Sequence, residues 1–118
     1  MRATSSFSEI YLYREHVDMR KSINGLSQIV VEELKQNPCE GGLFVFISRD
    51  RATLKSLYWD NSGFAVWHKR LEKEKFHWLK STLEDKFSIS CEQLDLLLSG
   101  IDIEKAKPHE KLSFHAFS

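Results

Sequence analysis

LYWDNSGFAVWHKRLEKEKF, Leu57–Phe76, sets two aromatic and β-branched runs on either side of DNSG and follows them with a cluster of basic side chains. Its reading decides whether the chain is built on a β-hairpin or displays an aromatic, basic surface for nucleic acid. DNSG, Asp60–Gly63, has Asp first and Gly last, as a type I turn with a bulge glycine at positive φ requires. Strands are therefore expected over Thr53–Trp59 and Phe64–Leu71. In that register Tyr58 faces Val66, Leu57 faces Trp67 and Lys55 faces Lys69. One face then carries Leu57, Trp59, Trp67 and Leu71, and the other Leu54, Tyr58, Phe64 and Val66. Aromatic and β-branched pairs contribute roughly 0.2–1 kcal/mol each, and two lysines face to face oppose pairing by a similar amount. That conflict is relieved by an anion, or by salt at a wet strand end.

Working outward, LFVFI (Leu43–Ile47) is apolar on both faces, which marks an inner strand covered on each side. Ile10–Tyr13 is a shorter apolar and aromatic run and a second strand candidate. Between them Ile23, Leu26, Val30 and Leu34 recur at helical spacing, widened by Met19, Ile29 and Val31. The expected helix runs from about Met19 to Gln36, with Asp18 as N-cap and Asn37–Pro38 as the stop. Downstream, Phe76, Trp78 and Leu79 finish the meander, and Phe87 and Ile89 mark a last strand. Ser90 with Gln93 three residues on makes a capping box, Leu94, Leu97 and Leu98 an apolar stripe, and Gly100 a C′ residue. From Glu104 onward the pattern fades, and residues 104–118 are expected to form an extended or partly ordered tail. The fold class is α+β: one domain over residues 1–103, a mostly antiparallel meander with one helix on a face and the other near an edge.

Composition narrows the function. The 118 residues suit one domain and leave no room for a second. Lys plus Arg and Asp plus Glu both number 17, so the whole-chain balance argues for neither a nucleic-acid nor a membrane partner. The distribution is uneven, because residues 49–80 hold eight basic side chains against four acidic ones. Cys39 and Cys91 stand far apart without a framework spacing, which suits reduced thiols in a cytosol. The opening MRATSSFSEI lacks the apolar core of a signal peptide, and the longest apolar run is too short to span a membrane. A soluble cytoplasmic protein is the expectation.

The search for chemistry returns mostly absences. His16, His68, His77, His109 and His115 are dispersed, with no ligand spacing to one another or to a cysteine. Gly41 and Gly42 lie between a helix and a strand, the wrong order for a phosphate-cradling loop. Asp18, Asp50 and Asp60 each have a turn or cap role in preference to a shared catalytic one. No catalytic residue, metal or cofactor is expected, and the chain does not read as an enzyme. Binding reads better: Arg49 and Arg51 in one turn, with Lys69, Arg70, Lys73 and Lys75 on the neighbouring strand, make a candidate basic rim for phosphates. The tryptophans Trp59, Trp67 and Trp78 read as core before they read as base platforms.

DMRKSINGL (Asp18–Leu26), GLFVFISR (Gly42–Arg49), LKSLYWDNSGFAVWHKRLEKEKFHW (Leu54–Trp78) and QLDLLLSGID (Gln93–Asp102) carry a more specific signal. Together they resemble the small second-open-reading-frame protein of insertion sequence 66 transposable elements, over about Ile10–Asp102. One departure is visible, since that family commonly has proline after the tryptophan matched by Trp78, where this chain has Leu79. The resemblance implies a non-catalytic supporting role in DNA transposition, beside a separate transposase that cuts and joins strands. It implies no catalytic residues, and the matched positions are motif positions only. Two readings follow. In one, the rim, aided by Arg20 and Lys21, binds DNA at element ends. In the other, the protein is an adaptor that docks the element-encoded transposase without contacting DNA.

Overall fold

The computed structural model describes residues 1–78 and 86–104; the expectations for Leu79 and for the tail beyond Glu104 lie outside the described residues. LFVFI becomes β2 (Leu43–Ile47), and all five of its side chains are at most 1% exposed. They are covered because β2 is the central strand of a five-stranded sheet. To one side lies β3 (Thr53–Asp60), then β4 (Gly63–Arg70) at the edge; to the other lies β1 (Ile10–His16), then β5 (Lys86–Ser88). Three of the four pairings are antiparallel, and β1 runs parallel to β2 with Leu12 opposite Val45. A parallel neighbour needs a crossover. Here α1 (Ile23–Glu32) supplies it between β1 and β2.

The pleat of β2 divides the core. Phe44 and Phe46 point to the α1 side, where they meet Val17, Leu26, Val30, Leu34 and Leu57. Leu43, Val45 and Ile47 point to the opposite side, with Leu12, Leu54, Tyr58, Phe76 and Trp78, and there α2 (Cys91–Leu98) buries Leu94 and Leu97. Full burial of two leucines stabilises this packing by about 1.5–3 kcal/mol each. The second helix is thus a third layer across the sheet from α1, where the sequence suggested a place near an edge. Its capping box forms as expected: Ser90 Oγ accepts from the Gln93 amide at 3.1 Å, and Gln93 Oε1 accepts from the Ser90 amide at 2.9 Å. Gly100 follows with φ +86°.

The central hairpin differs from its expected register by one residue. Lys55 faces His68, Leu57 faces Val66 and Trp59 faces Phe64, with only Asn61 and Ser62 in the loop. Asn61 takes the left-handed conformation (φ 56°), which asparagine tolerates, so Gly63 is an ordinary strand residue and no bulge is inserted. A one-residue slip exchanges every side chain between faces. Hence Trp67 packs with Leu54 and Tyr58 on the α2 side, Phe64 and Val66 join Leu57 on the α1 side, and the expected clash of Lys55 with Lys69 does not arise. Of the three tryptophans Trp78 is buried, with its indole N–H donating to the Tyr13 carbonyl at 2.9 Å, while Trp59 and Trp67 are half-buried.

The first helix is also shorter than its apolar stripe suggested. Asp18 does not cap it: the carboxylate is held by Arg20, and the helix begins after Ser22, whose carbonyl accepts from the Leu26 amide at 3.0 Å. The other end closes before Asn37–Pro38. Glu32 and Glu33 set negative charge against the negative end of the helix dipole, with no basic residue in the last turn. The chain then widens, with Leu34 donating to the Ile29 carbonyl at 3.1 Å, Gln36 to that of Val30 at 3.1 Å, and Lys35 at φ 56°.

Candidate nucleic-acid interface

DMRKS, Asp18–Ser22, is the loop that leaves β1 and enters α1. Its first residue folds it back: Asp18 Oδ1 accepts from the Arg20 amide at 2.9 Å, and Oδ2 accepts from Arg20 Nη2 at 2.6 Å. These bonds hold the exposed Asp18 carboxyl down to about 2, with the Arg20 side chain the largest cause. The loop is also tied to the sheet, because Lys55 Nζ donates to the carbonyl oxygens of Met19 at 2.6 Å and Lys21 at 3.1 Å. Lys21 lays its stem over Gly25, where an added Cβ would meet Lys21 Cγ at 3.3 Å.

The turn after β2 lies beside this loop, since Val17 donates to the Ile47 carbonyl at 2.9 Å. Asp50 Oδ1 accepts from the Ser48 hydroxyl at 2.7 Å and from the Ala52 amide at 3.0 Å. The Ala52 amide, then the Ser48 hydroxyl, lower the Asp50 carboxyl below its ordinary range, and Lys75 and Arg70 add to the effect. Both carboxylates are therefore ionised and already engaged. Loop and turn together border an open cleft of about 720 Å³ at the carboxyl ends of the parallel strands β1 and β2. Tyr13, Val17, Met19 and Ile29 give it an apolar floor, and its walls carry both signs, with Lys21 and Arg49 set beside Asp18 and Asp50 and with His16 and Ser48 completing the lining. Open sheets commonly receive ligands in such a crevice.

The expected rim is partly assembled. Arg51 accepts at its carbonyl from the Phe76 amide at 2.8 Å, Ala52 from the Leu71 amide at 2.8 Å, and Thr53 stands opposite Arg70. These bonds bring the turn carrying Arg49 and Arg51 against the segment carrying Arg70 and Lys75. Arg51 and Lys75 also border a smaller hollow of about 310 Å³, shared with His77, Asp102 and Glu104. Arg70 is exposed and sits 3.8 Å from Glu72, a loose surface pair. Lys73 is exposed on the same exit segment. Two expected members are differently engaged. Lys69 points to the α2 side, where Nζ donates to the Leu98 carbonyl at 2.9 Å at the end of that helix, and Arg20 is bound to Asp18. The sequence reading missed Lys55, Tyr13 and His16. For Lys55 a signal existed: a lysine between Leu54 and Leu57 in a half-buried strand has to find oxygen acceptors.

Among the described residues no group of three His, Cys, Asp or Glu side chains is placed to hold a metal, and no helix is long and apolar enough to cross a membrane. The class that fold and site define is a small α+β domain with an open cleft of mixed charge beside a turn that carries Arg49 and Arg51. The chain belongs to the IS66 Orf2-like protein family, whose model matches residues 8–108. That family is associated with transposition of insertion sequences in an accessory role. Two proteins of Sinorhizobium fredii are similar to it. The uncharacterized protein y4hO is 40% identical over 93 residues, 79% of this chain and 80% of the relative. The uncharacterized protein y4jC is 33% identical over 98 residues, 83% of each. No solved structure matches the chain.

Proposed function

We propose that the chain is a cytoplasmic, non-catalytic accessory protein that contacts element DNA through the end of the sheet bearing Arg49, Arg51, Arg70 and Lys75, with Lys21 at its margin and Lys73 beside it. The convergence of those four side chains on the β2–β3 turn carries this reading. Phosphates need fixed positive charge; of the acids nearby, Asp50 and Asp18 are held in hydrogen bonds of their own, and Glu72 is only loosely paired with Arg70. The test is binding of labelled element-end and scrambled duplexes by fluorescence anisotropy across a salt series from about 50 to 200 mM. Affinity is expected to fall log-linearly with salt. The variant R49E/R51E/R70E, checked for its fold by circular dichroism, should bind at least tenfold more weakly, with a slope shallower by roughly 0.9 for each phosphate it no longer neutralises. An absence of salt-sensitive binding at the lowest salt overturns the proposal.

A second reading draws on the apolar floor of the cleft. Tyr13, Val17, Met19 and Ile29 suit a protein segment better than a phosphodiester chain. In this reading the protein docks the element-encoded transposase. Co-purification that survives nuclease treatment and is abolished by Met19→Asp would favour it, while loss of the complex on nuclease treatment would return the case to DNA.

A further inference from the structure

The cleft at the carboxyl ends of β1 and β2 offers about 720 Å³, inside the range of roughly 300–1,000 Å³ that receives small organic groups. Three kinds of surface meet in it. Tyr13, Met19 and Ile29 are half-buried, and the Tyr13 ring is braced by Phe46, with centroids 5.9 Å apart. Lys21 and Arg49 are exposed cations on the two loops that border it. The third surface is a pair of acids, and they are not equivalent. Asp18 engages both carboxylate oxygens with Arg20, at 3.1 Å to Oδ1 and 2.6 Å to Oδ2. Asp50 accepts from the Ser48 hydroxyl and the Ala52 amide through Oδ1 alone, so Oδ2 is left to take a donor from a ligand.

We propose that the cleft receives an unpaired base, cytosine before thymine, from DNA lying on the rim. This rests on the rim reading of the proposed function and names the part of the DNA that enters the protein. Arg49 supplies the continuity, since it borders the cleft from the same turn that sets Arg51 against the segment of Arg70 and Lys75. The phosphodiester stays with those cations and with Lys21. Only the base meets the apolar floor, where stacking on an aromatic side chain replaces the stacking it loses in the strand. Bases inside an intact duplex are closed to such a ring, so the ligand is a single-stranded or splayed nucleotide. Asp50 then chooses among bases. Cytosine offers an exocyclic amine where thymine offers a carbonyl oxygen, which an ionised carboxylate repels.

The test is fluorescence anisotropy of the full chain with a labelled blunt duplex and with the same duplex carrying a short single-stranded extension of cytosines or of thymines. The cytosine extension should tighten binding by roughly five- to a hundredfold over the blunt duplex, and should bind several-fold tighter than the thymine extension. Tyr13→Leu keeps an apolar side chain without the ring and should cancel most of the gain. Asp50→Asn keeps the Oδ1 acceptor of the turn and puts an amide donor in place of Oδ2, so it should turn the preference towards thymine. That ratio decides the matter even if Tyr13→Leu fails to fold. Equal, salt-sensitive binding of all the probes overturns the inference while the rim reading stands, and leaves the cleft to a protein segment. No salt-sensitive binding of any probe removes the rim reading and this inference together. An extension gain that survives Tyr13→Leu, with a base preference unmoved by Asp50→Asn, overturns the inference as well.

Discussion

Lys55 Nζ donates to the Met19 carbonyl at 2.6 Å, so a side chain from β3 holds the loop that enters α1. The same ammonium also reaches the Lys21 carbonyl at 3.1 Å. Hydrogen bonds from a charged group contribute about 1.5–3 kcal/mol when sheltered, and Lys55 is only half-buried. Lys55→Met keeps the stem and removes the donor. It should lower unfolding free energy by about 1–2 kcal/mol in urea titrations and speed amide exchange at Lys21, whose N–H donates to the Asp18 carbonyl at 3.0 Å.

Acid should loosen this loop in a defined order. The Asp18 carboxyl sits at about 2 in the folded chain, against an ordinary value of 3.8. A depressed carboxyl contributes stability that is fully present above its unfolded value and is lost as pH falls through its folded value. The difference in stability between wild type and Asp18→Asn should therefore be constant above pH 3.8 and shrink towards pH 2. Carboxyl titration by NMR should place the Asp18 midpoint near 2, and Arg20→Gln should move it back up, since Arg20 is its largest cause.

The hairpin register can be trapped covalently. Trp59 faces Phe64, and residues directly opposite each other bring their Cβ atoms within about 4.5–5.5 Å. In a background with Cys39 and Cys91 replaced by serine, W59C/F64C should oxidise readily. W59C/A65C, which would close if Gly63 formed a bulge, should stay reduced. Mass spectrometry after mild oxidation distinguishes the two.

What the sequence disclosed followed the range of the interactions concerned. The Ser90–Gln93 capping box spans four residues, and its two reciprocal bonds depend on nothing farther away. LFVFI announced burial on both faces because every one of its side chains is apolar. The hairpin turned on a single torsion: DNSG contains two residues able to adopt positive φ, and Asn61 takes it where Gly63 was expected to. The parallel pairing of β1 with β2 joins segments some thirty residues apart, and nothing local to Ile10–Tyr13 specifies it. The rim was legible as composition but not as geometry. Neighbouring strand residues alternate faces, so Lys69 and Arg70 diverge in either register, and only the fold shows which cation is occupied.

Ser56 presents a smaller conflict of the same origin. It is 1% exposed in β3, opposite Val45 and Trp67, and its hydroxyl has no hydrogen-bond partner among the described residues. An unsatisfied buried hydroxyl costs about 1–3 kcal/mol. Ser56→Ala removes the polar atom and leaves almost no cavity. It should raise unfolding free energy by about 1 kcal/mol in chemical denaturation, with an unchanged denaturant slope.

Lys69 and Arg70 are neighbours in sequence and should separate by function. Lys69 Nζ donates to the Leu98 carbonyl at 2.9 Å, placing a cation at the negative end of α2. Arg70 lies on the other face of β4, exposed and only loosely paired with Glu72. Lys69→Gln should therefore lower stability by about 1 kcal/mol, through removal of the charge at the helix end. Under conditions where the variant is folded, it should leave the salt dependence of DNA binding as it is in wild type. Arg70→Gln should do the reverse, with little change in the thermal midpoint and a shallower salt slope by roughly 0.9. Calorimetry and the anisotropy series, run on both variants, read the two effects separately. A change of slope for Lys69→Gln with none for Arg70→Gln would contradict the division of labour between the two faces of β4.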